Sequence, residues 1–368
     1  MSSSAAQPSP DPAADGPRGS DLVDWSFAAT AGRRLVPPGP KVTREELHDL
    51  VGELRSAARR AQEPVAATSR MQAPPDAADP LVVDRGGWIE ANVASMRALI
   101  GPVLDSVVNR RQRSGPRQVS AGAQRFGGAV TGTEVAGLLA WVSTKVLGQY
   151  DLAPAGTPRL LLVAPNVLTV ERELELDPHD FRLWVCLHEE THRVQFTAVP
   201  WLRDHMVASA RDLGDNLLPE PEQMGQRIAQ IAQALPGVVR GEADITQVLA
   251  TPEQREKLAR VTAVMSLLEG HADVVMDDVG PQVVPSVKTI RARFNQRRKG
   301  TGSVDRVLRR LLGLEAKMRQ YRDGAVFVRE VTSAVGWEGF NAVWQSPETL
   351  PRPEEIPDPT AWVRRVHG

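Results

Sequence analysis

Cysteine is nearly absent from this 368-residue chain, with Cys186 as its single example. No internal disulfide is possible and no Cys-rich metal cluster can form, so the fold needs no oxidising compartment. Tyrosine is almost as scarce, limited to Tyr150 and Tyr321. Neither sign of charge dominates: 44 basic residues face 45 acidic ones, for a net charge of −1. That balance excludes a protein built mainly to grip nucleic acid or anionic lipid. No apolar run approaches the roughly 20 residues needed to cross a bilayer. The N-terminal "MSSSAAQPSPDPAADGPRGS" lacks a basic segment followed by an apolar one, so it does not read as a secretory signal. These absences lead to the expectation of a soluble cytoplasmic protein without membrane or nucleic-acid partners.

Hydrophobic residues make up 42% of the chain, ample for a buried core. Residues 1–20 are too polar and Pro-rich to pack and read as a disordered tail, leaving 21–368 as a single domain. After Pro37, Pro38 and Pro40, Thr43 and Glu46 form a capping box, and Leu47, Val51 and Leu54 share one face of the helix it starts. "PPDAAD" (74–79) breaks the chain, and a second helix begins near Gly87. Residues 111–132 read as a connector. "GTEVAGLLAWVSTKVLGQY" (132–150) reads as a buried helix with Gly148 at its C-cap. "PRLLLVAP" (158–165) is the clearest strand, and the stretch after it is ambiguous between strand and helical turn. From about residue 201 the pattern is helical, with breaks at 217–223, 235–244, 279–286 and 297–305, and a Pro-rich tail leads to a last short helix. The fold class expected is α+β, predominantly helical, with one small sheet.

The sheet is followed by "CLHEETHRVQF", in which His188, Glu189 and His192 spell H-E-x-x-H. Asp177 as N-cap and Pro178 in the first turn place this motif on a helix. Residues four apart share a helical face, so the two imidazoles can serve one ion. Glu189, turned by about 100° from His188, can reach a water on that ion without ligating it. Metal-assisted hydrolysis needs this arrangement. A chance H-E-x-x-H is expected in roughly one chain per hundred of this make-up, so the surroundings must decide. Val185, Leu187 and Phe196 make the helix a buried one, and buried imidazoles and carboxylates need partners such as a metal.

A catalytic zinc needs a third protein ligand and an open position. "SLLEGHADVVMDD" offers Glu269, His271 and Asp273 on an otherwise apolar helix. Glu269 and Asp273 share a face, whereas His271 lies about 200° round the helix from Glu269, so Glu269 and His271 do not serve the same ion. His271 is either the rival ligand or a hydrogen-bonded core histidine. Tyr321 is a candidate donor to a developing oxyanion. Glu190 reads as a solvated or capping charge, and Cys186 as a small core residue. His48, His179, His205 and His367 read as surface residues. The one basic run, 287–310, has Phe294 as its only aromatic residue and reads as a solvated loop.

The blocks "VDWSFAATAGRRLVPPGP", "VVDRGGWIEANV", "LLLVAPNV", "DPHDFRLWVCLHEETHRVQF", "LLEGHADVVMD" and "KMRQYRDGAVFVREVTSAVGWEGFNAVWQSPETLP" together resemble a family of bacterial zincin-like metallopeptidases. The resemblance runs over most of residues 22–363 and is nearest a branch associated by genome context with biosynthesis of a deazaflavin coenzyme. It implies a zincin-like fold, one Zn2+ per chain, and a metallopeptidase acting on a peptide or small amide. It also implies His188 and His192 as ligands and Glu189 as general base. The likeness to the zincins called gluzincins implies Glu269 as third ligand and Asp273 as the residue orienting a ligand imidazole. Strand 158–164 is then expected to be the sheet edge that pairs with an extended peptide. Two other functions fit the same residues: a zincin-fold binding or assembly factor that keeps its metal, and a small-amide hydrolase of coenzyme metabolism.

Overall fold

A computed structural model describes residues 23–113, 121–217, 251–299 and 314–368. The expected tail, and most of the breaks expected at 217–223, 235–244 and 297–305, lie outside the described residues. The described helices are α1 (Trp25–Leu35), α2 (Arg44–Ser69), α3 (Arg85–Arg113), α4 (Ala121–Ser143), α5 (Ala164–Glu173), α6 (Pro178–Ala198), α7 (Pro200–Leu217), α8 (Pro252–Asp278), α9 (Val287–Lys299), α10 (Leu314–Phe340) and α11 (Pro359–His367). One small sheet joins them, from β1 (Leu81–Val83), β2 (Gly148–Asp151) and β3 (Arg159–Val163), in the order β1-β3-β2. The chain is thus α+β and mostly helical, as expected.

Local chemistry starts the helices that matter most for the site. Thr43 and Glu46 close the capping box of α2, with Thr43 N–H donating to Glu46 Oε2 at 2.7 Å and Glu46 N–H to Thr43 Oγ1 at 3.1 Å. Asp177 caps α6 by accepting from Asp180 N–H at 2.9 Å, and Pro178 occupies its first position. Thr251 and Gln254 form a second capping box at the start of α8. The break expected at 279–286 falls between α8 and α9, where Ser286 N–H donates to Asp180 Oδ2 at 2.7 Å and ties that loop to the start of α6.

Two expectations need correction, and one ambiguity is resolved. The buried helix does not run to residue 150: α4 spans Ala121–Ser143, taking in part of the expected connector, and Gly148 opens strand β2 instead of capping a helix. The residues after β3, ambiguous in sequence, form helix α5. Strand β3 is not an edge. It pairs parallel to β1 and antiparallel to β2, so it is the central strand. An apolar run shows that a strand is buried, but not which neighbours it finds.

The pleat of β3 divides the core. Leu162 joins the cluster formed with α2, α6, α8 and α10, while Leu161 and Val163 join a second cluster with Trp25, Trp88 and Leu139 from α1, α3 and α4. Helix α6 therefore passes under the sheet, with α2 on one flank and α8 on another, and α10 packs outside α8.

Candidate metal centre

Helix α6 carries His188 and His192 on one face, and α8 brings Glu269 to meet them. His188 Nε2 lies 3.2 Å from His192 Nε2. The Glu269 carboxylate stands 3.7 Å from His188 Nε2 and 4.0 Å from His192 Nε2. A tetrahedral zinc with ligand bonds of about 2.0–2.1 Å needs donor–donor separations of roughly 3.3 Å. The three donors fall close to that value, and all lie within 4.8 Å of one another. Their side chains keep 23%, 13% and 24% of their surface exposed, so none of the three is fully buried.

Glu189 sits beside them under strand β2. It is buried, and its Oε2 has no hydrogen-bond partner. Burial, with the nearby Glu269 charge second, holds its carboxyl well above the usual carboxylate range. A buried carboxylate with an unpaired oxygen is costly unless a cation or a proton is at hand. Donor spacing, partial exposure and this orphaned oxygen all fit a zinc ion held by His188, His192 and Glu269. Glu189 is held where it is by close packing: a Cβ at Gly148 would lie 2.5 Å from Glu189 Cδ and 2.6 Å from its Cγ.

His271 does not join the cluster. It is fully buried, stacks on Phe340 with centroids 5.4 Å apart, and meets Trp337 and Trp344 edge-on. Burial, with the neighbouring His192 second, pushes its imidazole down to about 3. It is the hydrogen-bonded core histidine, accepting at Nδ1 from Gln195 Nε2 at 2.9 Å. Asp273 lies one turn beyond Glu269, and its carboxylate reaches Arg291 Nη1 at 3.3 Å. At His192 Nδ1 stands Gln195, whose Oε1 is 2.9 Å away. Gln195 is the site residue that sequence reading missed. Its position three residues after His192, on the same helical face, was the available signal.

The remaining candidates fall elsewhere. Tyr321 belongs to α10, but its side chain lies outside the described residues. Glu190 is not solvated: it is 1% exposed and forms a two-pronged pair with Arg193 at 2.6 and 2.7 Å. Cys186 is buried in the core, as expected. The first half of the basic run is helix α9 rather than a loop, and three of its arginines are paired within the protein. Arg291 pairs with Asp273 and Asp277, Arg293 donates to the Leu174 and Glu175 carbonyls, and Arg297 meets Glu173. Among the described residues, no helix is long and apolar enough to cross a membrane.

The model of the zincin-like metallopeptidase family matches residues 23–363. A crystal structure from Chloroflexus aurantiacus, of a protein provisionally described as a hydrolase with a novel fold, shares 30% identity with this chain. The similarity covers 94% of this chain and 99% of that one, with a TM-score of 0.65. No curated protein matches. Membership of such a family implies a hydrolase with a zinc site. With the match running over nearly the whole sequence, the chain belongs to the zincin-like metallopeptidase family.

Proposed function

We propose that this protein is a zinc-dependent hydrolase of peptide or amide bonds, with His188, His192 and Glu269 as metal ligands and Glu189 as general base. The observation that carries the reading is the meeting of Glu269, from a separate helix, with both motif imidazoles beside a buried carboxyl that has a free oxygen. When bound, zinc supplies Lewis acidity that polarises a carbonyl and lowers the pKa of water to about 7. Glu189 takes the proton of the attacking water at its carboxylate and passes it to the leaving amine. A purely structural metal site needs no such base.

Strand β2 supports a peptide as substrate. Leu147 accepts from Val163 N–H at 2.8 Å, and Gln149 pairs with Leu161. By antiparallel alternation, the main-chain groups of Gly148 and Tyr150 point away from β3. Among the described residues β2 pairs with β3 alone. An extended peptide added along this edge would run past Gly148, which touches Glu189. The edge expected at residues 158–164 is thus assigned to 148–151.

Glu189→Gln tests the reading. The amide keeps the shape of the side chain but cannot take a proton, so kcat is expected to fall by roughly 10²–10⁴-fold or more, with zinc content and fold unchanged. His188→Ala should lose the zinc. The measurement is a screen of peptide and small-amide substrates with metal analysis of each variant. Hydrolysis by wild type that survives Glu189→Gln would overturn the mechanism. Absence of zinc from the wild type would overturn the site.

A further inference from the structure

We propose that Gln195 is a positioning residue that locks His192 in the tautomer needed to bind metal through Nε2, and that His271 and the Leu268 carbonyl hold Gln195 in place. The proposal rests on the zinc-hydrolase reading for its consequence, but its geometry stands without it.

The argument starts from a group that can only accept. Gln195 is fully buried, and one end of its side chain lies 3.0 Å from the Leu268 carbonyl oxygen. A carbonyl oxygen has no hydrogen to give, so that end of the amide is the NH2 group. The other end is then the carbonyl Oε1, and it lies 2.9 Å from His192 Nδ1. Oε1 accepts, so Nδ1 of His192 carries the hydrogen and the lone pair is left on Nε2, the atom that faces His188 and Glu269. The second N–H of the amide points to Nδ1 of His271 at 2.9 Å. Nδ1 of His271 must accept, which places that ring's hydrogen on Nε2, an atom with no hydrogen-bond partner among Trp337, Phe340 and Trp344. The Leu268 carbonyl, which can only accept, fixes the amide, and His271 takes the tautomer that accepts its second N–H. Both N–H bonds of Gln195 are thereby engaged by α8, and the amide cannot flip. A flipped amide would set a donor against His192 and turn the lone pair inward, away from the metal.

The test reads tautomers directly. Protein labelled with 15N-histidine gives long-range 1H–15N correlations that separate Nδ1–H from Nε2–H rings, recorded about two pH units above the imidazole value of ~6.5. The His192 signals are assigned by their loss in His192→Ala. Wild type, stripped of metal, should show His192 as Nδ1–H. Gln195→Leu should shift it toward Nε2–H and weaken zinc binding by about 10–100-fold in a chelator competition. Gln195→Glu separates positioning from mere packing. It keeps an acceptor for His192 but loses both donors, so it should retain the tautomer and the zinc affinity while its Tm falls. If zinc affinity instead follows Tm across the three proteins, the role is structural and the proposal fails. It also fails if metal-free wild type shows His192 as Nε2–H, or if Gln195→Leu binds zinc within about twofold of wild type. Should even wild type bind no zinc, the hydrolase reading falls, and the wild-type tautomer still decides the place of Gln195.

Discussion

At the scale of single residues, the most demanding contact is between Gly148 and Glu189. A Cβ on residue 148 would meet the Glu189 side chain at 2.5–2.7 Å, closer than carbon and oxygen atoms pack. The Gly148 backbone is not left-handed, so glycine serves here for close approach rather than for an unusual turn. Gly148→Ala must push the carboxyl aside. A shift on the order of 1 Å in a catalytic group costs about 10²-fold in rate. The expectation is therefore a fall of that size in kcat with zinc content unchanged, checked by steady-state kinetics and metal analysis. Full activity in Gly148→Ala would mean that Glu189 does not act from this position. The glycine itself was visible in the sequence, where it passed as a helix C-cap. Local pattern does not distinguish a glycine chosen for its φ from one chosen because another side chain lies against it.

At the scale of elements, the place of Glu269, the proposed third ligand, depends on how α8 docks against α10. A Cβ on Gly270 would collide with the Gly324 carbonyl carbon, and one on Gly324 with the Ser266 carbonyl oxygen. The two helices thus cross backbone to backbone next to Glu269. Helix propensity alone makes Gly270→Ala stabilising by up to ~1 kcal/mol. The crossing reverses the sign, because backbone atoms cannot give way as a side-chain tip can, and a net loss of about 1–3 kcal/mol is expected. Urea unfolding measures the loss. Zinc competition should show weaker binding, since Glu269 moves with its neighbour. A stabilised Gly270→Ala protein would mean that the crossing is looser than described. Element starts were legible in the sequence because caps are local: Thr43 with Glu46, and Asp177 with Pro178, satisfy N–H groups within three residues. The end of α4, the strand at 148–151 and the order of the sheet were not, because they depend on partners distant in the chain.

At the scale of the molecule, the C-terminal segment ties the site together from behind. Trp337, Phe340 and Trp344 enclose His271, Trp201 Nε1 of α7 donates to the Trp344 carbonyl at 3.0 Å, and Asn341 reaches the Ser69 carbonyl at the end of α2. Helix α11 anchors the segment through buried Trp362 and through Arg365, which grips Glu355 at 2.6 and 2.8 Å. Burial acts to raise the Glu355 carboxyl, but Arg365 and the Arg352 N–H outweigh it and keep it below its usual value. A lowered carboxyl adds stability above the unfolded value of ~4.3 and loses it as the pH falls through the folded value. Arg365→Met should therefore lower stability at neutral pH by about 2 kcal/mol, discounted from the figure for a fully buried pair because Arg365 is partly exposed. The gap to wild type should close as the pH falls beneath the usual carboxylate range, where Glu355 takes up a proton even beside Arg365. Denaturant melts at several pH values check this, and a gap that widens in acid would refute it.

The sequence by itself determined the pieces whose physics is local. It set H-E-x-x-H on a capped helix, the i, i+4 pairing of His188 with His192, a buried helix carrying Glu269 and Asp273, and an interior rich enough in apolar residues to bury them. Tertiary structure alone decided which groups meet. It chose Glu269 over His271 as the neighbour of the imidazoles, held Gln195 through Leu268 and His271 of α8, buried the Glu190–Arg193 pair, and left β2 paired with β3 alone among the described residues. Each of these joins residues to partners on other elements or rests on what covers them. Hydrophobic burial fixes such meetings through the shape of the whole core, and no window of sequence contains that shape.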